Sequence, residues 1–219
     1  MSDIGSDENA RRPSEFDDND DDMIPLTKSV WKYTCLRNIK SVVEACGGNA
    51  ESIQDVLVVR PEYTWLIDTI ETGYLQTTHA IVVTGQPGIG SCSRSVCASE
   101  CTNMLAGKTV FLIYLLLYRL QRMLPTAIQL SNDNYVLFDA DGATIYDPRA
   151  WWYPDQQYWA LADSNEELTI PCVALQNSGA RVIQACPPKP QTWKEWIKQN
   201  LGDVVVSDLP TPLEIGAIS

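Results

Sequence analysis

The chain has 219 residues, of which 45% are hydrophobic, and a formal net charge of −12. This length and apolar content predict one main hydrophobic core with a small appendage and exclude two full domains. The absence of a concentrated basic stripe argues against direct nucleic-acid binding, and no apolar run reaches the ~20 residues that span a bilayer.

The N-terminal segment is strongly acidic. Residues 1–22 carry nine acidic side chains against Arg11 and Arg12. Such a run has little apolar surface to bury, which predicts a disordered tail over residues 1–24. The alternative is an acidic arm that binds a protein partner. An acidic start is opposite to a signal peptide's basic n-region, so we expect an intracellular protein, cytoplasmic or nuclear, with neither signal peptide nor transmembrane segment.

Residues 25–59 are expected to form a small helical lead-in. The pattern over residues 29–46 is helical and ends at Gly47 and Gly48, a suitable C-cap. Pro61 then opens a second helix, PEYTWLIDTIETGYLQ, whose apolar positions recur at helical spacing. This helix leads into AIVVTG, which reads as a buried strand.

The rest of the chain alternates strands and helices. A helix over residues 108–123 precedes the strand TAIQL, and a hairpin turn is predicted at Asp141 and Gly142. The strands YWALAD, ARVIQAC and GDVVVS follow, with the helix QTWKEWIKQN before the last of them. This order predicts an α/β fold over residues 60–219, with a mainly parallel sheet flanked by helices.

Two separated segments form the halves of a phosphate-binding motif. The first is a glycine turn after AIVVT that consists of Gly85, Gln86, Pro87, Gly88, Ile89 and Gly90. The second is Lys108 and Thr109 at the start of VFLIYLLLYRL. Joined, they read GQPGIGKT and satisfy G-x-x-x-x-G-K-[ST] between a strand and a helix. In such loops backbone N–H groups and lysine hold phosphates, while threonine ligates Mg²⁺.

A nucleotide site of this kind also needs an acidic residue at the tip of a second strand, to hold the metal ion. Asp163, which ends YWALAD, is the first candidate, and its alternative role is a helix or turn cap. Asp139 at the end of YVLF is the second candidate, although Asp139-Ala140-Asp141-Gly142 also reads as a hairpin turn.

The segments THAIVVTGQPGIG, KTVFLIYLLLYRL, YVLFD and WALADSN, with the W-x-x-W-I-K-Q helix, resemble the P-loop ATPase domain of Crinkler-type and retrotransposon-hot-spot-type proteins over residues 60–206. The resemblance implies a P-loop NTPase-like fold, a nucleotide as partner, and ATP and Mg²⁺ as cofactors. It assigns catalytic roles to Lys108 and Asp163, metal ligation to Thr109 and Asp163, and phosphate binding to the glycine turn with Lys108 and Thr109. Such domains continue beyond the position of Ser219, so the resemblance implies a domain incomplete at its C-terminus.

Residues 91–107, SCSRSVCASECTNMLAG, interrupt the motif and are expected to form an unstructured loop. A zinc site would have three ligands, Cys92, Cys97 and Cys101, where structural zinc takes four. We favour a retained intron, because excision restores the motif and the flanking codons permit splice signals. The seven cysteines are expected to be mostly free thiols.

Closing a flexible 17-residue excursion costs about 2.5 kcal/mol. We therefore expect the chain as written to bind ATP weakly and to be an ATPase only when the loop is restored. The alternative function is that of a non-enzymatic remnant or protein-interaction scaffold.

Overall fold

The computed structural model describes residues 34–51, 53, 55–85, 98–150, 158–164, 168–187, 191 and 193–207, and for residues 98–107 it describes the backbone path alone. The predicted acidic tail, the loop positions 86–90 and the first part of the insert, 91–97, lie outside these residues. The elements in chain order are β1 (Thr34–Arg37), α1 (Ile39–Ala45), β2 (Val56–Val59), α2 (Pro61–Glu71), a 3₁₀ helix (Gly73–Thr77), β3 (Ala80–Gly85), α3 (Ala98–Leu120), β4 (Thr126–Gln129), β5 (Tyr135–Asp139), β6 (Gly142–Tyr146), β7 (Trp159–Asp163), α4 (Val173–Asn177), β8 (Arg181–Cys186), α5 (Lys194–Gln199) and β9 (Asp203–Ser207).

Within the described residues, seven strands form one sheet in the order β6-β5-β4-β7-β8-β3-β9. Strands β4, β7, β8, β3 and β9 run parallel to one another, and the hairpin β5-β6 adds two antiparallel strands beside β4. The hairpin turn predicted at Asp141 and Gly142 is confirmed, since β5 ends at Asp139 and β6 starts at Gly142, whose φ of 119° L side chains rarely adopt. The predicted α/β class and mainly parallel sheet are confirmed.

Helices cover both faces of the sheet. On β3, Ile81 and Val83 pack in the same cluster as α2 and α3, whereas Ala80 and Val82 pack in the same cluster as α4 and α5. Parallel strands covered on both faces need apolar side chains throughout, and every residue of β3 is buried. The helices that follow β3 and β8 thus lie on opposite faces, so the ends of these two adjacent strands form a topological switch point.

We call the edge where the five parallel strands begin the amino-terminal edge, and two buried arginines join its elements. Arg181 donates hydrogen bonds to three backbone carbonyl oxygens, those of Ile70, Leu75 and Thr78. Arg119 donates from Nε to Thr126 Oγ1 at 2.8 Å. Both guanidinium groups lie over the Trp159 ring, at 4.1 Å for Arg119 and 4.6 Å for Arg181. The end of α2, the end of α3 and the starts of three strands are thereby held together.

The lead-in is not wholly helical, so that prediction is wrong for part of the segment. β1 occupies residues that the helical pattern had included and pairs antiparallel with β2. Asn38, with a φ of 63°, separates β1 from α1 and ends the strand where a continuous helix was expected. Ile39, Val43 and Leu57 belong to the cluster that contains α2 and α3. The lead-in therefore shares the core of the domain.

The helix expected to start at Lys108 starts ten residues earlier, at Ala98, and ends at Leu120. The prediction of an unstructured loop is therefore wrong for residues 98–107. Their sequence, ASECTNMLAG, contains good helix formers, and the interior Gly107 costs only about 1 kcal/mol relative to alanine. A helix nucleated by the apolar residues after Thr109 can therefore extend backward through this segment.

Candidate functional site

We call the opposite edge, where the parallel strands end, the carboxyl edge, and the predicted site residues Gly85, Thr109 and Asp163 lie there. Gly85 ends β3 and Asp163 ends β7, with β8 between these two strands. Two strand spacings separate β3 from β7, about 10 Å. Gly85 is paired in register with Ser207, the last residue of β9. The other predicted phosphate-binding turn residues, 86–90, lie outside the described residues.

A side-chain hydrogen bond joins the second half of the split motif to the predicted acid. Thr109 Oγ1 donates to Asp163 Oδ2 at 2.8 Å, across 54 positions of sequence. The bond connects α3 to the tip of β7 and is part-buried. The two residues predicted to ligate a metal ion are therefore direct neighbours, as both roles require.

Lys108 and Asp163 form an electrostatically strained pair. Burial raises the pKa of Asp163, although the Thr109 hydrogen bond and the charge of Lys108 both act to lower it. Burial also lowers the pKa of Lys108, opposed by the charge of Asp163 and by Cys186. Both groups thus lose solvation that their mutual attraction does not fully replace. A cation near Asp163 and an anion near Lys108 would each favour the ionised form.

Cys186 ends β8, between the strands that carry Gly85 and Asp163. It is fully buried, and desolvation raises the pKa of its thiol to about 12. A thiol in this state is neutral near pH 7 and is a poor nucleophile. The centre of the edge is therefore formed by a neutral, weakly polar group.

The backbone at Lys108 differs from a phosphate cradle. Because α3 starts at Ala98, Lys108 and Thr109 lie in the helix interior, where their N–H groups bond to carbonyls one turn earlier. The free N–H groups of the helix start are about 15 Å away along its axis. The side chains of Lys108 and Thr109 lie near Asp163, but the helix N-terminus expected beside them lies at Ala98 instead.

Asp139 is excluded as the acidic partner. It ends β5, which runs antiparallel to β4, and its neighbour Phe138 pairs with Thr126 at the start of β4. Asp139 therefore lies at the amino-terminal edge. Its Oδ1 accepts a hydrogen bond from the Asp141 N–H at 2.9 Å, the turn role that the local sequence indicated.

Sequence reasoning missed a polar cluster beside Gly85. Ser207 Oγ donates to Glu62 Oε1 at 2.6 Å, and Arg60 Nη2 lies 2.5 Å from Glu62 Oε2. Arg60 and Glu62 flank the proline that starts α2, and this pair of charges next to an apolar strand, VLVVRPE, was the available signal. The link to Ser207, across 145 positions, could not be read from sequence.

The donor atoms at the carboxyl edge suit Mg²⁺ in part. A hydroxyl and a carboxylate oxygen are the hard ligands that this ion prefers, and it commonly keeps several waters. Among the described residues, no group of three or more His, Cys, Asp or Glu side chains could hold a metal ion. Cys35, Cys46, Cys172 and Cys186 are free thiols, as predicted for most cysteines. The side chains of the three insert cysteines lie outside the description.

The chain has no match in any of three comparisons, with protein-family models, with curated proteins and with solved structures. Among the helices of the described residues, none is both long enough and apolar enough to cross a membrane.

Proposed function

We propose that the carboxyl edge is a P-loop NTPase-like site for the triphosphate of Mg-ATP. The observation that carries this proposal is the 2.8 Å bond between Thr109 Oγ1 and Asp163 Oδ2, because one metal ion can be held by this pair of oxygens. The switch point between β3 and β8 supports it, since open α/β sheets bind ligands at such positions. The Crinkler-type and retrotransposon-hot-spot-type resemblance stays a hypothesis of the same kind.

Each side chain has a distinct role in this proposal. Lys108 would neutralise charge on the outer phosphates, and Thr109 and Asp163 would hold the metal ion directly or through its water. The ion would offset phosphate charge when bound. Gly85 and the turn residues Gln86, Pro87, Gly88, Ile89 and Gly90 would supply backbone N–H groups. Asp163 is desolvated in the free protein, and the bound metal ion would stabilise its ionised form.

The affinity of the chain as written should be low. The N–H groups of Lys108 and Thr109 are consumed within α3, so they add nothing to a cradle. The free N–H groups of the helix start lie about 15 Å from Lys108 and cannot join the same cradle, and the loss of two charge-assisted hydrogen bonds corresponds to about two orders of magnitude in affinity. We propose that residues 91–107 are a retained intron and that the form lacking them is the competent one. Sequencing the transcript across the junction tests the intron proposal. If every mature transcript retains the 17 codons, the proposal is wrong.

Isothermal titration with Mg-ATP tests the binding proposal. A variant lacking residues 91–107 should bind about 100-fold more tightly than the full chain. Lys108→Ala in the shortened chain should reduce affinity at least tenfold, because the removed charge contacts phosphate. Lys198→Ala is the matched control, since Lys198 is exposed on α5 and should leave affinity unchanged. Equal affinities for full and shortened chains would refute the account of the insert.

A binding protein without turnover is the second candidate function. The residue after Asp163 is Ser164, whose hydroxyl donates to the Thr169 carbonyl at 3.4 Å and cannot serve as a carboxylate base. Phosphate release by the shortened chain distinguishes the two. Turnover that Lys108→Ala abolishes supports an ATPase, and Mg-ATP binding without phosphate release supports a scaffold or remnant.

A further inference from the structure

Two large apolar residues at the amino-terminal edge are both strained and exposed. Met123 has a φ of 55° and is 93% exposed, and Leu201 has a φ of 49° and is 91% exposed. Each lies in the turn after a helix, where glycine is the usual residue because a left-handed backbone crowds the Cβ atom. Packing within the described residues therefore does not account for a methionine and a leucine at these two positions.

A third exposed apolar side chain extends the surface around Leu201. Tyr74 is 72% exposed. The Thr78 hydroxyl lies 3.4 Å from the Tyr74 carbonyl oxygen and 3.2 Å from Asp203 Oδ2, and Asp203 starts β9 two residues after Leu201. Tyr74 and Leu201 thus lie near the same strand start. Side chains that are exposed and strained in the single chain are expected where a contact outside the chain uses them.

The charges beside the two strained residues are opposite in sign. The Leu201 N–H donates to the Lys198 carbonyl at 3.4 Å, and the Lys198 side chain is 61% exposed. Met123 precedes β4, and the pairing of β5 with β4 places the hairpin turn, with exposed Asp139 and Asp141, next to it. The edge therefore has a basic end at β9 and an acidic end at β4 and β5.

Two other charges near these ends do not cancel this polarity. The Arg122 guanidinium lies 3.5 Å from the centre of the Tyr118 ring and donates to the Tyr118 carbonyl, so it is directed along α3. Glu195 lies 3.7 Å from Lys198 Nζ, but both side chains are exposed, and such pairs contribute little. Lys198 can therefore exchange this contact for another carboxylate.

We propose that the amino-terminal edge is the interface of a two-fold symmetric dimer of this chain. β4 and β9 are four strand spacings apart, about 19 Å. An axis midway between them brings the Met123 end of each copy against the Leu201 end of the other, so that both apolar side chains are covered twice. The same alignment sets Lys198 against Asp141 at both ends. This charge complementarity favours a second copy over an anionic lipid surface, which the aspartates would repel.

Sedimentation velocity of the full chain measures the association, from about 1 to about 100 µM at physiological salt. Leu201→Gly and Met123→Gly should each weaken the dimer at least 100-fold, because each removes two buried apolar side chains per dimer. The same substitutions should stabilise the monomer at concentrations well below the dissociation constant, since glycine relieves the strain. Ile145→Thr is the matched control, because Ile145 is 66% exposed but lies on β6 toward the carboxyl edge.

A charge exchange tests whether the partner is a second copy. Lys198→Glu and Asp141→Lys should each dimerise about tenfold more weakly, because each sets like charges against one another at both ends. An equimolar mixture of the two variants should dimerise as strongly as the wild type, since both contacts between them again join opposite charges.

The outcomes decide both the surface and its occupant. Dimerisation that is lost in the glycine variants, kept in Ile145→Thr and restored by the mixture supports the proposal. A wild-type chain that stays monomeric at about 100 µM overturns the dimer, and if that monomer binds phosphatidylcholine vesicles the surface contacts lipid instead. A dimer of unchanged strength in both glycine variants overturns the assigned surface. Failure of the mixture to dimerise overturns the alignment of the two copies.

Discussion

The two edges of the sheet differ in how completely their polar groups are paired. At the amino-terminal edge, Arg181 donates to three carbonyls and shares Trp159 with Arg119. Toward the carboxyl edge, Thr84 Oγ1 and Gln184 Oε1 are buried without a hydrogen-bond partner. The arginines of the amino-terminal edge thus form their hydrogen bonds within the protein. The carboxyl edge has buried oxygen atoms that can still form hydrogen bonds. This division is expected when stability and ligand binding are assigned to opposite edges.

The largest expected effect comes from breaking the amino-terminal edge. Arg181→Ala should lower the free energy of unfolding by about 3–5 kcal/mol, because two buried carbonyls and one part-buried carbonyl lose their donor. Urea denaturation measures the change. Arg122→Ala is the control, since this exposed arginine lies two residues beyond α3, bonds the Tyr118 carbonyl at its surface and should change stability little. A loss below 1 kcal/mol for Arg181→Ala would contradict the role given to this edge.

A steric change at the same edge should have the next largest effect. A Cβ on Gly202 would lie 2.3 Å from the Ala80 carbonyl oxygen, so Gly202→Ala must shift β9 away from β3. We expect a loss of about 2–3 kcal/mol in urea denaturation. Gly179→Ala is the comparison: it has open space but a φ of 72°, and should cost only about 1 kcal/mol. Equal losses of stability in the two variants would show that the clash with the Ala80 carbonyl oxygen is not the cause of the destabilisation.

At the carboxyl edge a substitution should stabilise. Because burial raises the pKa of Asp163, its ionisation costs stability as pH rises from the ordinary value of 3.8 through the higher folded value. Asp163→Asn keeps an acceptor for Thr109 without the charge, and should raise the free energy of unfolding at pH 7 by about 1 kcal/mol. Well below pH 3.8 the difference should disappear.

Denaturation at pH 7 and at low pH measures this effect. Asp139→Asn, at the hairpin turn, should be near neutral because asparagine can accept the same bond from the Asp141 N–H. The Asp163→Asn variant should also lose binding of Mg-ATP in the shortened chain. A variant that is less stable than the wild type at pH 7 would contradict the electrostatic description of this edge.

The smallest expected effect concerns backbone strain beyond a helix end. Leu201 follows α5 with a φ of 49° and is 91% exposed, so its side chain contributes strain and little packing. Leu201→Gly should stabilise the chain by about 0.5–1 kcal/mol. Gln199→Gly, two residues earlier and within the helix, should instead destabilise by a similar amount. Thermal denaturation of the two variants measures the sign of each stability change. A loss of stability in both variants would contradict the strain argument.

The sequence was sufficient where local pattern and tertiary environment agree. Strands β3, β4, β7 and β8 were predicted because they are buried along almost their whole length and are mostly apolar, whereas the partly exposed edge strand β9 was predicted from its run of three valines. Asp163 was predicted because it ends such a strand. The metal roles of Thr109 and Asp163 were assigned from the motif and the resemblance, whereas the contact between the two side chains needed the sheet order. The pattern of apolar strands and the polar residues at their ends was thus enough to predict the candidate site residues.

The misses have physical causes. β1 was read as helix because a short strand with no period of its own was embedded in a helical pattern, and Asn38 gave no warning of its positive φ. The start of α3 was misplaced because helix propagation from an apolar segment does not depend on motif boundaries. Glu62 and Ser207 were overlooked because their contact spans the chain and neither belongs to a recognised spacing.

The position of β3 has a consequence for how the chain reaches its native state. β3 pairs only with β8 and β9 among the described strands, and these follow it by roughly a hundred residues. An extended, mostly apolar segment must therefore wait unpaired while the intervening helix and strands are synthesised. Pairings of such high contact order form slowly and leave the segment open to aggregation. Chaperone dependence should accordingly concentrate on this strand.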